Sequence, residues 1–309
     1  MPDDSAPRPK SGIGLVFAIA SYVLWGFLPL YFLLLAPAGP LEIVAWRIVL
    51  SLVFCAFLLT VTRSWTSFAV IARNRRAVVT LAIASVFILI NWIVYVFAAL
   101  SGQVVEAALG YFINPIVTVL LGVFVLRERL RPLQWVGVGI SAVAVIVLAV
   151  NYGAVPWISL ALAASFGLYG LIKKRIGGTV DAVGGLTMET ALLAPFAAGL
   201  LIVLAATGTL VAGTAGLGHT LAIAVAGVVT AVPLLFFAAA ARRIPLTQLG
   251  LTQYFAPVLQ LVVGVFLLHE DMPAARWIGF GLVWLALVVL TIDSLGGARR
   301  LRRAALEPV

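Results

Sequence analysis

Apolar residues fall in ten long runs separated by short polar connections: 12–34, 41–62, 77–99, 104–126, 132–150, 154–172, 182–205, 220–240, 246–268 and 274–293. A helix rises about 1.5 Å per residue, so about 20 apolar residues cross a hydrocarbon core of roughly 30 Å. The pattern predicts an all-α integral membrane protein of ten transmembrane helices. The first run resembles a signal peptide only superficially. The stretch before Ala18-Ile19-Ala20 is too short for an h-region and continues beyond it, which predicts an uncleaved first helix.

Basic residues alternate between the connections. Eighteen of the 20 Lys and Arg belong to one set: Arg8 and Lys10; Arg63, Arg73, Arg75 and Arg76; Arg127, Arg129 and Arg131; Lys173, Lys174 and Arg175; Arg242 and Arg243; and four in the C-terminal tail. The opposite set holds only Arg276, and Arg47 lies inside the second run. The positive-inside rule then puts both termini in the cytoplasm. The net charge of +9 is thereby a topology signal, with anionic lipid as a side partner and no nucleic acid implied.

Composition agrees: 63% hydrophobic and 10% charged residues leave too little polar surface for a soluble domain of 309 residues. A single cysteine, Cys55, excludes an internal disulfide and a Cys-rich metal site. No P-loop, H-E-x-x-H or G-x-S-x-G pattern occurs, so neither nucleotide hydrolysis, a metal, a cofactor nor a catalytic group is expected.

The chain repeats itself. At an offset of 142 residues Pro115, Gly122, Phe124, Glu128, Trp135, Gly137 and Gly139 meet Pro257, Gly264, Phe266, Glu270, Trp277, Gly279 and Gly281. ASYVLWG from Ala20 matches ASFGLYG from Ala164 at an offset of 144. The expected organisation is a cytoplasmic tail (1–11), a first five-helix repeat (12–150), a second (154–293) and a basic cytoplasmic tail (294–309). Five spans is an odd number, so the second repeat enters from the opposite side. Such two inverted five-helix repeats suit a site opened alternately to each side.

Candidate chemistry follows from intramembrane polarity. Arg47 lies about 9 Å inside the second run by helical rise, and an intramembrane charge costs at least about 2.5–3.5 kcal/mol. Snorkelling or structural pairing is the competing explanation. Glu106 lies at comparable depth in the fourth run, and an Arg47–Glu106 pair would make an outer gate or an anion site. At the repeat offset Arg47 faces Glu189, the candidate for proton coupling, with a hydrogen-bonded interfacial role as its alternative. Matched rows at i, i+4 run Glu106, Gly110, Asn114, Thr118, Gly122 and Gln248, Thr252, Ala256, Gln260, Gly264. Either they line a cavity or they let helices pack closely. Pro115 and Pro257 are candidate helix breaks, freeing the carbonyls of Tyr111 and Gln253. Asn91, Trp92, Tyr95, Tyr22 and Trp25 are candidates for an aromatic lining, with Tyr254 and Gln260 opposite. His219, His269 and the RER and HED segments read as helix-end groups.

EAALGYFINPIVTVLLGVFVLRER in the fourth run is the most specific segment. With SYVLWGFLPLYF, AWRIVLSL, NWIVYVFA and Met188-Glu189-Thr190, the chain resembles the EamA family of the drug/metabolite transporter superfamily, in its RarD-like (chloramphenicol-sensitivity) branch, from about residue 10 to residue 295. The resemblance implies an exporter or permease of a small organic metabolite or drug-like molecule in the inner membrane of a bacterium, without nucleotide hydrolysis; proton coupling and facilitated diffusion are both open. A non-transporting scaffold or sensor is the alternative. A membrane-embedded enzyme would need an acidic or His–carboxylate cluster that the sequence does not display.

Overall fold

The computed structural model describes residues 11–126, 132–152, 155–176, 179–241, 243 and 252–304. Arg8, Lys10, the RER segment with Glu128, Arg131, Arg242 and Gln248 lie outside the described residues.

Among the described residues the chain is all helix and turn. In order the helices are α1 (Ser11–Gly26), α2 (Leu28–Leu33), α3 (Pro40–Val61), α4 (Trp65–Arg73), α5 (Arg75–Leu100), α6 (Val104–Leu126) and α7 (Pro132–Tyr152). Then come α8 (Trp157–Ile176), α9 (Ala182–Ala206), α10 (Leu217–Ala224), α11 (Ala226–Ala241), α12 (Phe255–Val262) and α13 (Ala274–Ala304). A π-helical turn, Val263–Leu267, continues α12, with the Leu268 amide donating to the Val263 carbonyl at 2.9 Å. Five segments are long and apolar enough to cross a membrane: Gly12–Leu33, Pro40–Val61, Arg75–Leu100, Ala182–Ala206 and Leu217–Phe237. Five more are apolar over shorter described stretches: Val104–Val117, Pro132–Leu148, Trp157–Lys173, Phe255–Leu267 and Ala274–Val289.

Local sequence explains the helix starts. Asn74 caps α5 by accepting from the Ala77 amide at 3.2 Å, and Asp181 caps α9 by accepting from Gly184 at 2.8 Å. Pro40 opens α3 where its missing N–H costs nothing. Two expectations change. The first run is a helix pair, broken at Phe27 because Pro29 starts α2. The basic connection after the second run contains the short helix α4, which buries only Ile71.

The helices show an inverted surface. In α3, Ile43, Ile48, Cys55 and Leu59 are buried, while Val53, Phe57 and Val61 are at least 60% exposed. An apolar exposed face beside a buried face that holds Arg47 and Ser51 suits lipid outside and protein inside.

Packing follows a definite list of partners: α6 on α8, α1 on α12, α5 on α8, α1 on α11, α3 on α9, α7 on α13, and α6 on α12. Small residues set the closest approaches. A Cβ on Gly227 of α11 would collide with the Leu50 carbonyl of α3, and one on Gly110 would lie 2.8 Å from the Ser159 carbonyl of α8. A backbone carbonyl has no rotamer with which to retreat. Gly227→Val is expected to abolish the monodisperse peak in detergent size-exclusion chromatography, whereas Gly199→Val, with open space around it, leaves the peak unchanged.

Candidate functional site

Arg47 sits two turns into α3 and is 3% exposed. Its guanidinium carbon lies 4.9 Å from the Phe32 ring centroid and 4.8 Å from that of Trp92. Its Nε donates to Thr230 Oγ1 of α11 at 3.1 Å, and Nη1 is buried with no hydrogen-bond partner among the described residues. The ionisable groups near it are the neutral hydroxyls of Tyr31, Tyr95 and Tyr111 rather than carboxylates. Each cation–π contact contributes about 0.5–2 kcal/mol. Such contacts soften the desolvation of a buried cation without neutralising it.

The wall around this cation is aromatic and held from behind. Tyr95 packs against Phe32 and Tyr111, with ring centroids 5.8 and 5.6 Å apart. Tyr111 donates its hydroxyl to Asn91 Oδ1 at 3.0 Å. Asn91 Nδ2 in turn donates to Ser165 Oγ at 3.2 Å and to the Leu162 carbonyl at 3.3 Å. Gln260 of α12 is 2% exposed and donates Nε2 to the Trp25 carbonyl at 3.3 Å. Its side chain also meets the Tyr95 hydroxyl, and its Oε1 has no hydrogen-bond partner among the described residues. Buried polar atoms are normally satisfied, so Arg47 Nη1 and Gln260 Oε1, both unpartnered among the described residues, mark a place where a ligand or water completes the bonding.

The structure thus joins Arg47, Asn91, Tyr111 and Gln260 through Trp92 and Tyr95. Asn114, 4% exposed, is buried on α6. Other candidates lie apart. Tyr254 stacks on Phe112 at 6.4 Å, in a cluster with Phe280 and Trp284. Gln253 is half-buried in the turn before α12. Tyr22 packs with Phe237, and Trp25 bridges that pair to the cage, its ring against Phe237 and its carbonyl accepting from Gln260. Gly110 faces Ser159 of α8, whose hydroxyl donates to the Glu106 carbonyl at 2.6 Å, so this part of the i, i+4 row of α6 packs on α8. Pro115 lies within α6, which runs on as one helix, and Pro257 occupies the first turn of α12, where a missing N–H breaks no helical bond.

Glu106 does not reach Arg47. Its charged neighbours are Arg276 and Glu270, and its Oε1 is buried without a hydrogen-bond partner. Glu189, 2% exposed, accepts from Lys173 Nζ at 2.8 Å and from the Tyr169 hydroxyl at 3.2 Å. The candidate coupling carboxylate therefore has a counter-ion, while its repeat mate Arg47 has none among the ionisable groups near it.

Two further carboxylates hold backbone amides, Glu42, which sequence reasoning did not single out, and Glu270, read there as a helix-end group. Glu42 accepts from the Val211 and Ala212 amides, at 3.1 and 2.8 Å, tying α3 to the connection after α9. Glu270 accepts from Val104 and Val105 at 2.6 and 2.8 Å, capping α6 from the far end of the chain. Burial lifts the Glu270 carboxyl above the usual carboxylate range, and these two amide bonds pull it partly back. An acidic residue in the first turn of α3 was the only signal for the former. The HED segment was the only one for the latter.

Comparison with known proteins adds an independent line. Residues 12–150 match the EamA-like transporter family. Protein RarD of Streptomyces exfoliatus is 49% identical over 95% of this chain and 92% of its own length. The uncharacterized transporter YojE of Bacillus subtilis is 41% identical over 91% of this chain and 94% of its own. A crystal structure of another protein, 21% identical, superposes with a TM-score of 0.59 over 93% of this chain and 98% of that one, a likeness of fold. With apolar helices of spanning length and relatives matched along nearly the whole chain, this protein belongs to the EamA family, in its RarD-like branch, and is a multi-pass bacterial membrane transporter.

Proposed function

We propose that the chain is a secondary carrier that moves a small organic molecule with an anionic group across the inner membrane by alternating access at the Arg47 cage. The observation that carries this reading is the buried cation without a neighbouring carboxylate, its Nη1 unpartnered, held by α2, α3 and α5 and by α11 from the other half of the chain. A cation kept for structure would carry its own counter-ion, as Lys173 does for Glu189.

The architecture proposed is ten spans in two inverted repeats (12–150 and 154–293), with both termini cytoplasmic. Helix packing supports it. Exchanging each helix for its repeat mate turns the α6–α8 contact into α12–α1 and the α5–α8 contact into α11–α1, while α3–α9, α7–α13 and α6–α12 map onto themselves. Hydrogen bonds support it too. Ser21 donates to the Pro233 carbonyl at 2.7 Å, and its mate Ser165 meets Asn91, the mate of Pro233. Glu189 and Lys173 form the gate at the opposite end, with Glu189 as the group available for proton coupling.

Reconstituted exchange tests this reading. Proteoliposomes offered radiolabelled small organic anions are expected to show saturable uptake, accelerated by unlabelled substrate inside and lost in Arg47→Ala. A scaffold or sensor would give no carrier-dependent flux for any member of the panel.

A further inference from the structure

The two orphan atoms of the cage differ in what they ask of a ligand. Arg47 Nη1 is a charged donor. Gln260 Oε1 is an acceptor, and its identity is fixed because Nε2 must face the Trp25 carbonyl. The cage offers a hydrogen-bond acceptor for a ligand N–H or O–H, and a cation for a ligand anion.

It offers no carboxylate for a second, positive charge: among the described residues none acts on Arg47. Glu189 is bound to Lys173, Glu106 neighbours Arg276, and Glu42 and Glu270 hold backbone amides. A zwitterion would have to bring its ammonium beside a buried guanidinium with no carboxylate to hold it, and like charges in a desolvated site repel strongly. A dianion would leave one negative charge uncompensated, at a similar penalty. The rings of Phe32, Trp92, Tyr95 and Tyr111 supply apolar and π surface for the remainder of the molecule.

We propose that this site takes a net monoanion, an organic carboxylate with a neutral hydrogen-bond donor beside it and an apolar or aromatic body, as in a hydroxy acid or an N-acyl acid, in preference to a zwitterionic amino acid. The carboxylate meets Arg47 Nη1, the neutral donor meets Gln260 Oε1, and the body lies against the rings. This rests on the reading of the Arg47 cage as the substrate site and specifies its ligand.

A matched probe set on the full chain in detergent tests it: phenyllactate, phenylpropanoate, phenylalanine and phenylethylamine, by titration calorimetry and thermal shift. Phenyllactate is expected to bind tightest. Phenylpropanoate, lacking the donor, binds about tenfold more weakly, because Gln260 Oε1 stays unsatisfied. Phenylalanine falls at least as far, and phenylethylamine does not bind. Arg47→Gln abolishes binding. Gln260→Met erases the difference between phenyllactate and phenylpropanoate, a readout that a purely structural glutamine would not move. Phenylalanine binding as tightly as phenyllactate, with both lost in Arg47→Gln, overturns the ligand class and leaves the site standing. Binding untouched by Arg47→Gln overturns the site as well. No binding by any probe to a cooperatively melting protein overturns the class, and the exchange assay then judges the carrier reading separately.

Discussion

Arg47→Met is expected to melt at or above the wild-type temperature while losing all stabilisation by substrate. The substitution keeps much of the volume between Phe32 and Trp92 and removes a buried charge whose Nη1 has no partner. Replacing buried ionic groups by apolar isosteres of similar size is often neutral or stabilising, by about 1–4 kcal/mol. The lost cation–π contacts and the single bond to Thr230 offset part of that gain. A ligand at 100 times its Kd stabilises the wild type by about 2.7 kcal/mol, and Arg47→Met forfeits this increment. Scanning fluorimetry with and without substrate separates the two effects. A structural arginine behaves in the opposite way, with a large drop in melting temperature and no change in the ligand increment.

Lys173→Met is expected to destabilise the protein by about 3–5 kcal/mol, since it strands a buried carboxylate. Glu189 is 2% exposed, and the Tyr169 hydroxyl alone would remain to meet its charge. Glu189→Gln costs less. The Lys173 side chain is 29% exposed and close to the end of α8, so its ammonium can turn toward water once its partner is gone. The double variant Lys173→Met/Glu189→Gln recovers most of the loss. Chemical or thermal melts of the four proteins in one detergent give the coupling energy. Equal costs for the two single variants would show that Lys173 is not free to turn away.

The contrast between these two sites shows how far the chain could be read before folding. Run lengths and the alternation of basic connections reveal helices and their ends, because apolar surface and charge placement are properties of the sequence itself. The burial of Arg47, Asn91 and Glu189 was legible for the same reason. Partners were not. Lys173 looks like one more basic residue at a helix end, and only the packing of α8 against its neighbours brings it to Glu189. Glu106 seemed equally suited to Arg47, but its position on α6 puts it near Arg276. Thr230 and Gln260 reach the cage from the other half of the chain, across sequence separations that no periodicity encodes. Pro29 breaks the first run and α4 interrupts a basic connection, since single prolines and short amphipathic turns are lost within a hydropathy window.

Sided labelling at Thr230 tests alternating access at the Arg47 cage most directly. Thr230 is 4% exposed and touches Arg47, and Cys55, the one native thiol, is buried and replaceable by alanine. A single Thr230→Cys in that background, in oriented membrane vesicles, is exposed to a membrane-impermeant thiol reagent from one side and then the other. The account predicts reaction from both sides, each slowed by substrate. Reaction confined to one side, at a rate indifferent to substrate, would contradict it.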